Sequence, residues 1–268
     1  GVRHGLLPDD RRDSEERHGA IQNVLHAVPH VWRRPILLQE GKGIITRITA
    51  APELCGMESF AKAMLENGVH LSIGHSDATS DIALDAMKHG FSHVTHLYSA
   101  TPSVRKINQV VKAGVLEAAY LDDNVTVELI ADGKHAAVDA LRLAVKIKGT
   151  DKVALVTDAL RPAGQDVTES WLGEVVPENR VIIEDGVAKL PDRSSFAGSI
   201  ATTDRLVRFC TKEVGIDLCE TIKMITVNPA KVMGLKQKGR IKAGYDADLV
   251  IFDENIQIKN VFVAGEEV

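Results

Sequence analysis

The chain has 268 residues, a formal net charge of −5, 44% hydrophobic and 26% charged residues. This is enough for one large domain or two unequal ones with a substantial core. Mild acidity without a long basic run argues against a nucleic-acid-binding surface, and no apolar stretch approaches the ~18 residues that span a bilayer.

The first 41 residues hold six arginines and no lysine, with four of the ten histidines. They show no clear periodicity before about Ile36. Residues 1–35 are expected to be a divergent segment, a damaged reading frame or a disordered, solvated tail. The opening is Arg-rich and broken by Pro8, unlike a signal peptide. Regularity begins at Ile44. "IITRITAAPE" (44–53) is β-branched and ends past a proline, so it predicts a strand leaving into a loop. Apolar residues at helical spacing predict a helix over 57–68, closed by Gly68. A strand follows over 69–75, a helix over 80–90 and a strand over 92–97. Residues 124–133 read as a strand, 137–149 as a helix and 152–159 as a strand. This alternation predicts right-handed βαβ units and a parallel sheet. The strands read as nearly continuous apolar runs, as expected where both faces are covered.

From about Val181 the pattern changes. Asp185-Gly186 between alternating runs predicts a hairpin over 181–191. Residues 199–215 and 217–226 read as two helices. The tail from Lys238 reads as short strands turning at Gly239, Gly244 and Gly265, part of a small β-sandwich. The expected division is an uncertain segment 1–35, a barrel domain 36–234 and sandwich strands 235–268. Cys55, Cys210 and Cys219 form no C-x-x-C pair and read as buried, reduced thiols of a cytoplasmic protein.

Chemistry-bearing residues recur where strands end. His75, His96, the pair Asp132 and His135, and Asp158 all fall at or just past a strand's C-terminal end. Active sites of (β/α)₈ barrels and ligand crevices of doubly wound sheets are built there. Neutral imidazole is a ligand for zinc or ferrous iron. His75 and His96 lie 21 residues apart, about one βα unit, which allows neighbouring strands. His93 and His96 point to opposite faces of one strand, and His96 is nearer its end. The alternative for both is a pair of half-buried histidines bonded to backbone. Asp158 after "VALVT" suits a base that takes a proton from metal-activated water; its alternative is a helix N-cap. His135 in "ADGKH" can polarise a carbonyl or bind a sugar hydroxyl, unless it is simply a loop histidine.

"SIGHSDAT", "THLYSAT", "ADGKH", "VTDA", "FAGS" and "NPAKVMGL" occur in an order that resembles the N-acetylglucosamine-6-phosphate deacetylases. The closing "KGRIKAGYDADLVIFD" is similar to the C-terminal signature of the wider amidohydrolase superfamily. The resemblance implies a (β/α)₈ barrel with a small β-sandwich. It implies His75 and His96 as metal ligands on the fifth and sixth strands, and Asp158 on the eighth as general base, then general acid. His135 would contact the substrate and polarise its acetamide carbonyl. Ser99 and Ala100 would lie beside the sugar phosphate, where the family usually has Asn-Ala, and the "FAGS" loop would cover the sugar. The reaction would release acetate and glucosamine 6-phosphate with a divalent cation, zinc or alternatively iron. The enzyme would be a cytoplasmic homodimer with no membrane or nucleic-acid partner.

Three departures from the family pattern are expected to matter. The family's glutamate ligand sits in a motif like H-x-E-G-P, and residues 2–8, "VRHGLLP", carry no glutamate; Glu15 and Glu16 do not align with it. The family's first barrel strands and half of its sandwich have no counterpart. The arginine-bearing phosphate loop reads "TPSVRKINQ", leaving Arg105 or Lys106 to meet a phosphate. Alternatives are a different amidohydrolase acting on another amide, or a catalytically inactive remnant.

Overall fold

The structure is a computed structural model that describes residue 41 and residues 43–268. The expectations for residues 1–35 and the H-x-E-G-P counterpart lie outside the described residues. Its centre is a five-stranded parallel sheet in the order β1-β2-β3-β6-β7. The strands are β1 (Arg47–Ala50), β2 (His70–Ile73), β3 (Phe91–Val94), β6 (Thr126–Leu129) and β7 (Val153–Leu155). Helices α1 (Met57–Glu66), α2 (Ser80–Lys88), α3 (Val115–Leu121) and α4 (Val138–Lys148) connect them. A hairpin, β4 (Arg105–Ile107) and β5 (Val110–Lys112), is inserted between β3 and α3. Among the described residues, β1 and β7 are the edges of this sheet.

The two faces of the sheet differ, which corrects the expectation of strands apolar on both sides. Leu71, Ile73, Val94, Val127, Leu129, Val153 and Leu155 form one core with Phe60 and Met64 of α1, Ala83 and Met87 of α2, and Leu141 and Ala144 of α4. On the other face the register lines up Thr49, Ser72, His93 and Thr126 across four strands. Thr95 bonds the hydroxyls of Thr49 at 2.9 Å and Ser72 at 2.6 Å. The reason is the two-residue period of a strand, which sends successive side chains to opposite faces.

Gly74 leaves β2 on this polar face. A Cβ there would stand 2.7 Å from Thr49 Cγ2 and 2.9 Å from Thr95 Cβ. Those threonines are hydrogen-bonded to each other and cannot step aside cheaply. Gly74→Ala should therefore cost about 1–3 kcal/mol by overpacking, read as a lower urea midpoint at unchanged m-value.

The expected hairpin is present: β9 (Arg180–Glu184) and β10 (Val187–Lys189) turn at Asp185 and Gly186, both at positive φ. It belongs to a four-stranded sheet ordered β11-β10-β9-β8, with β8 at Glu169–Trp171 and β11 at Phe196–Ser199. "FAGS" is thus a strand rather than a loop, because it finds an antiparallel partner in β10. Helix α5 (Thr203–Phe209) runs into a π-turn and stops at Gly215, φ 82°. Helix α6 (Leu218–Ile225) is capped by Asp217, which accepts from the Cys219 and Glu220 amides, and α7 (Val227–Val232) follows. The tail forms an antiparallel sheet of β12 (Leu249–Phe252), β13 (Ile258–Val263) and β14 (Glu266–Glu267). A cavity of about 460 Å³ lies between this sheet and helices α5 and α6, lined by Val207, Ile222, Ile225, Leu249 and Phe252 among others.

All three cysteines are free, but only Cys210 is buried; burial pushes its thiol up to about 12. Cys55 and Cys219 are exposed, contrary to expectation, since they sit on the loop before α1 and in the first turn of α6. No helix among the described residues is long and apolar enough to cross a membrane.

Candidate active site at the strand ends

His75 and His96 come two positions and Asp158 three positions after the last residue of their strands, where the chain abandons extended geometry, and His135 comes six positions after Leu129. His75 (φ 49°), His96 (φ 33°) and Asp158 (φ 47°) all adopt the left-handed region, as do Tyr98 and Ala100. Non-glycine residues rarely take that conformation, and clusters of them occur at functional sites.

The left-handed turns bring His75 and His96 together. Their Nε2 atoms stand 2.9 Å apart, with ring centroids 4.6 Å apart and planes at 83°. Two zinc–nitrogen bonds of about 2.0–2.1 Å at a tetrahedral angle span about 3.3 Å between nitrogens, somewhat more than the separation here, so the rings would have to part slightly to take neighbouring positions on one cation. Burial lowers the His75 pKa, the adjacent His96 lowers it further, and the Asp158 charge opposes both. His96 is buried, and among the described residues its Nδ1 has no hydrogen-bond partner. No group of three His, Cys, Asp or Glu among the described residues makes a complete metal site.

Neighbouring loops hold these turns. Glu53, just past β1, accepts from Ser76 Oγ at 2.7 Å and the Asp77 amide at 2.6 Å. The Ser76 amide donates to Ala100 O, and the Ser99 amide to His96 O at 2.8 Å. Ser99 and Ala100 thus lie in the same knot of loops as both histidines. Arg105 reaches it from β4, paired with Asp77 Oδ1 at 3.0 Å and donating to Asp77 O; Lys106 is exposed.

Beneath the knot, Glu128 occupies the polar face, 4% exposed. It pairs with Arg47, lies 3.1 Å from His93 Nε2 and accepts from the His96 amide at 3.3 Å. Burial alone would raise its carboxyl, but His93 and Arg47 outweigh burial and hold it at about 2. His93 Nδ1 also meets Thr126 Oγ1 at 2.5 Å. His93 is therefore a partner of Glu128, and His96 is the histidine that meets His75.

On the next two strands, His135 follows β6 and Asp158 follows β7. Asp158 is exposed, and its carbonyl accepts from the Ser199 amide at 3.3 Å. No helix begins there, which removes the N-cap alternative. The His135 ring packs on Phe196 with centroids 5.5 Å apart. Glu53 and Glu128 were missed from the sequence. The signal for Glu128 was the polar residue at every second position of the strands.

These features define an α/β protein whose candidate site is built on the C-terminal ends of parallel strands. The amidohydrolase family model matches residues 36–268, and the chain belongs to the amidohydrolase family. It is 37% identical over 221 residues to an N-acetylglucosamine-6-phosphate deacetylase from Lysinibacillus sphaericus, covering 82% of this chain and 55% of that protein. It is 33% identical to an N-acetylgalactosamine-6-phosphate deacetylase from Shewanella, covering 82% and 53%. It matches the structure of a Mycobacterium smegmatis N-acetyl-D-glucosamine-6-phosphate deacetylase mutant, in complex with N-acetyl-D-glucosamine-6-phosphate, at TM-score 0.81 and 29% identity, covering 89% of this chain and 61% of that one. The chain spans about half the length of the curated relatives it matches.

Proposed function

We propose that this chain carries the metal-dependent deacetylase site of an enzyme acting on N-acetylglucosamine 6-phosphate, in amino-sugar breakdown. The observation that carries the reading is the approach of His75 Nε2 to His96 Nε2 at 2.9 Å, at the ends of adjacent strands. On this reading the five parallel strands are staves of a (β/α)₈ barrel spanning residues 36–234, and residues 235–268 contribute to a small β-sandwich. His75 and His96 would hold a divalent cation, zinc or alternatively iron. Bound there, the cation supplies a Lewis acid for the amide carbonyl and acidifies water.

Asp158 takes one proton from the attacking water, whose oxygen bonds to the acetyl carbon. It then delivers that proton to the departing amine nitrogen as the C–N bond breaks. His135 contacts the acetamide. Ser99 and Ala100 lie beside the sugar phosphate, and Arg105 meets the phosphate from its pairing with Asp77. By the same resemblance the enzyme is a cytoplasmic homodimer.

The test is acetate release from N-acetylglucosamine 6-phosphate by metal-stripped protein, before and after adding zinc or ferrous ion. N-acetylgalactosamine 6-phosphate and unphosphorylated N-acetylglucosamine serve as the comparison panel. Metal-restored release that requires the phosphate supports the reading. Equal turnover without the phosphate favours a different amidohydrolase, and no bound metal with no turnover marks an inactive chain.

A further inference from the structure

Asp132 is the buried acid that the proposed mechanism leaves without a task. It is 2% exposed, three residues before His135, and its Oδ2 lies 2.7 Å from His135 Nδ1. Its Oδ1 accepts the backbone amides of Lys134 at 2.8 Å and His135 at 2.9 Å. The loop is fixed on its other side too. Arg205 donates to the Asp132 carbonyl at 2.8 Å and to the Gly186 carbonyl at 2.9 Å, tying it to the β9–β10 hairpin. Gly133 sits at φ 78° with Phe209 against it, so that a Cβ would lie 2.7 Å from the ring.

We infer that Asp132 is the positioning residue for His135, fixing its ring so that Nδ1–H is committed to the carboxylate and Nε2 is the atom that works on substrate. A carboxylate held by two backbone amides cannot donate, so Nδ1 carries the proton in either charge state of the ring. Burial alone would raise the Asp132 carboxyl, yet bonds from His135 and the two amides hold it at about 2. Nε2 of the neutral ring then accepts, as from a sugar hydroxyl. It donates, as to an amide carbonyl, only when the ring is imidazolium. The two roles open to His135 thus become two charge states of one fixed ring.

The kinetic part of this inference rests on the deacetylase reading; the tautomer does not. In Asp132→Asn, the carboxamide oxygen takes over the two backbone amides at Oδ1. Its nitrogen then replaces Oδ2 and donates to Nδ1, driving the ring proton to Nε2. Two-bond 1H–15N spectra of histidine-labelled protein read the proton's position, with His135→Gln identifying the signal. The expected result is neutral His135 protonated on Nδ1 in the parent protein and on Nε2 in Asp132→Asn. The variant's kcat should fall on the order of 100-fold with KM little changed. A purely structural role would lower stability and leave the tautomer alone. Parent protein protonated on Nε2, which needs no variant to observe, or the same tautomer in both proteins, overturns the inference. Absent turnover with the tautomer exchange intact overturns the deacetylase reading and leaves the role of Asp132 standing.

Discussion

If the deacetylase proposal holds, Asp158→Asn is expected to lower kcat for acetate release by about 10²–10⁴-fold, the usual contribution of a positioned proton-transfer group. Fold and metal uptake are expected to persist, and the geometry explains why the substitution is clean. Asp158 sits at φ 47°, a conformation that asparagine tolerates as well as aspartate. The carboxylate is exposed and has no helix to cap, so no structural bond depends on its charge. What disappears, on that proposal, is the lone pair that would accept a proton from water and return it to the amine. Steady-state rates, metal content per chain and urea midpoints for both proteins check this together. An unchanged kcat removes Asp158 from the mechanism. A large loss of stability assigns it to the scaffold instead. The expected signature is a fall in rate alone, with the unfolding free energy shifted by less than about 0.5 kcal/mol as for surface changes.

Legibility of the fold follows from how much of each element is periodic. Helices α1, α2 and α4 carry three or more buried residues at helical spacing, and residues 57–68, 80–90 and 137–149 bracket them to within two residues. Strand ends were read too long, since 69–75 and 152–159 run past the observed ladders. After β7 the β-branched Val156 and Thr157 prolong the strand-like composition, but the chain turns left-handed at His75 and Asp158, which composition does not encode. The β4–β5 hairpin was invisible because its turn, Asn108-Gln109, lacks glycine although both residues have positive φ. Helix α3 has seven residues and begins at a glycine bonded to Glu117, too short for a stripe. Of the candidate site, the placement of His75, His96, His135 and Asp158 beyond strand ends was legible because each follows a recognisable strand. The supports beneath them were not. Glu53 acts on residues 23 and 24 positions away, and Glu128 on partners 81 and 32 positions away, so only the folded sheet brings these together.

Glu128→Ala is expected to destabilise the protein by about 3–5 kcal/mol, the cost of removing one partner from a buried ion pair. The lower part of that range is expected, because the Arg47 side chain is 23% exposed and can be partly rehydrated. His93, at 2% exposed, has no such recourse and loses the carboxylate 3.1 Å from its Nε2. Glu128→Gln keeps the volume and a carbonyl oxygen for the His96 amide, so its cost is expected to be smaller. The contribution depends on pH in a defined sense. The folded carboxyl is depressed from 4.5 to about 2, so folding favours its charged form. That stability is fully present above about pH 4.5 and is lost as pH falls through about 2. Asp132, depressed from 3.8 to about 2, acts in the same sense. Denaturant titrations between pH 7 and pH 3 should therefore show the parent protein losing stability toward acid. Glu128→Gln starts lower and loses less. Parallel pH profiles would mean that the buried carboxylate contributes no charge-dependent stability. The same bond network carries the effect to the site: with the Glu128 oxygen gone, the His96 amide loses its acceptor while its φ of 33° must still be held. Glu128→Ala should consequently weaken metal binding even at neutral pH in the fraction that remains folded, whereas Glu128→Gln should retain most of it.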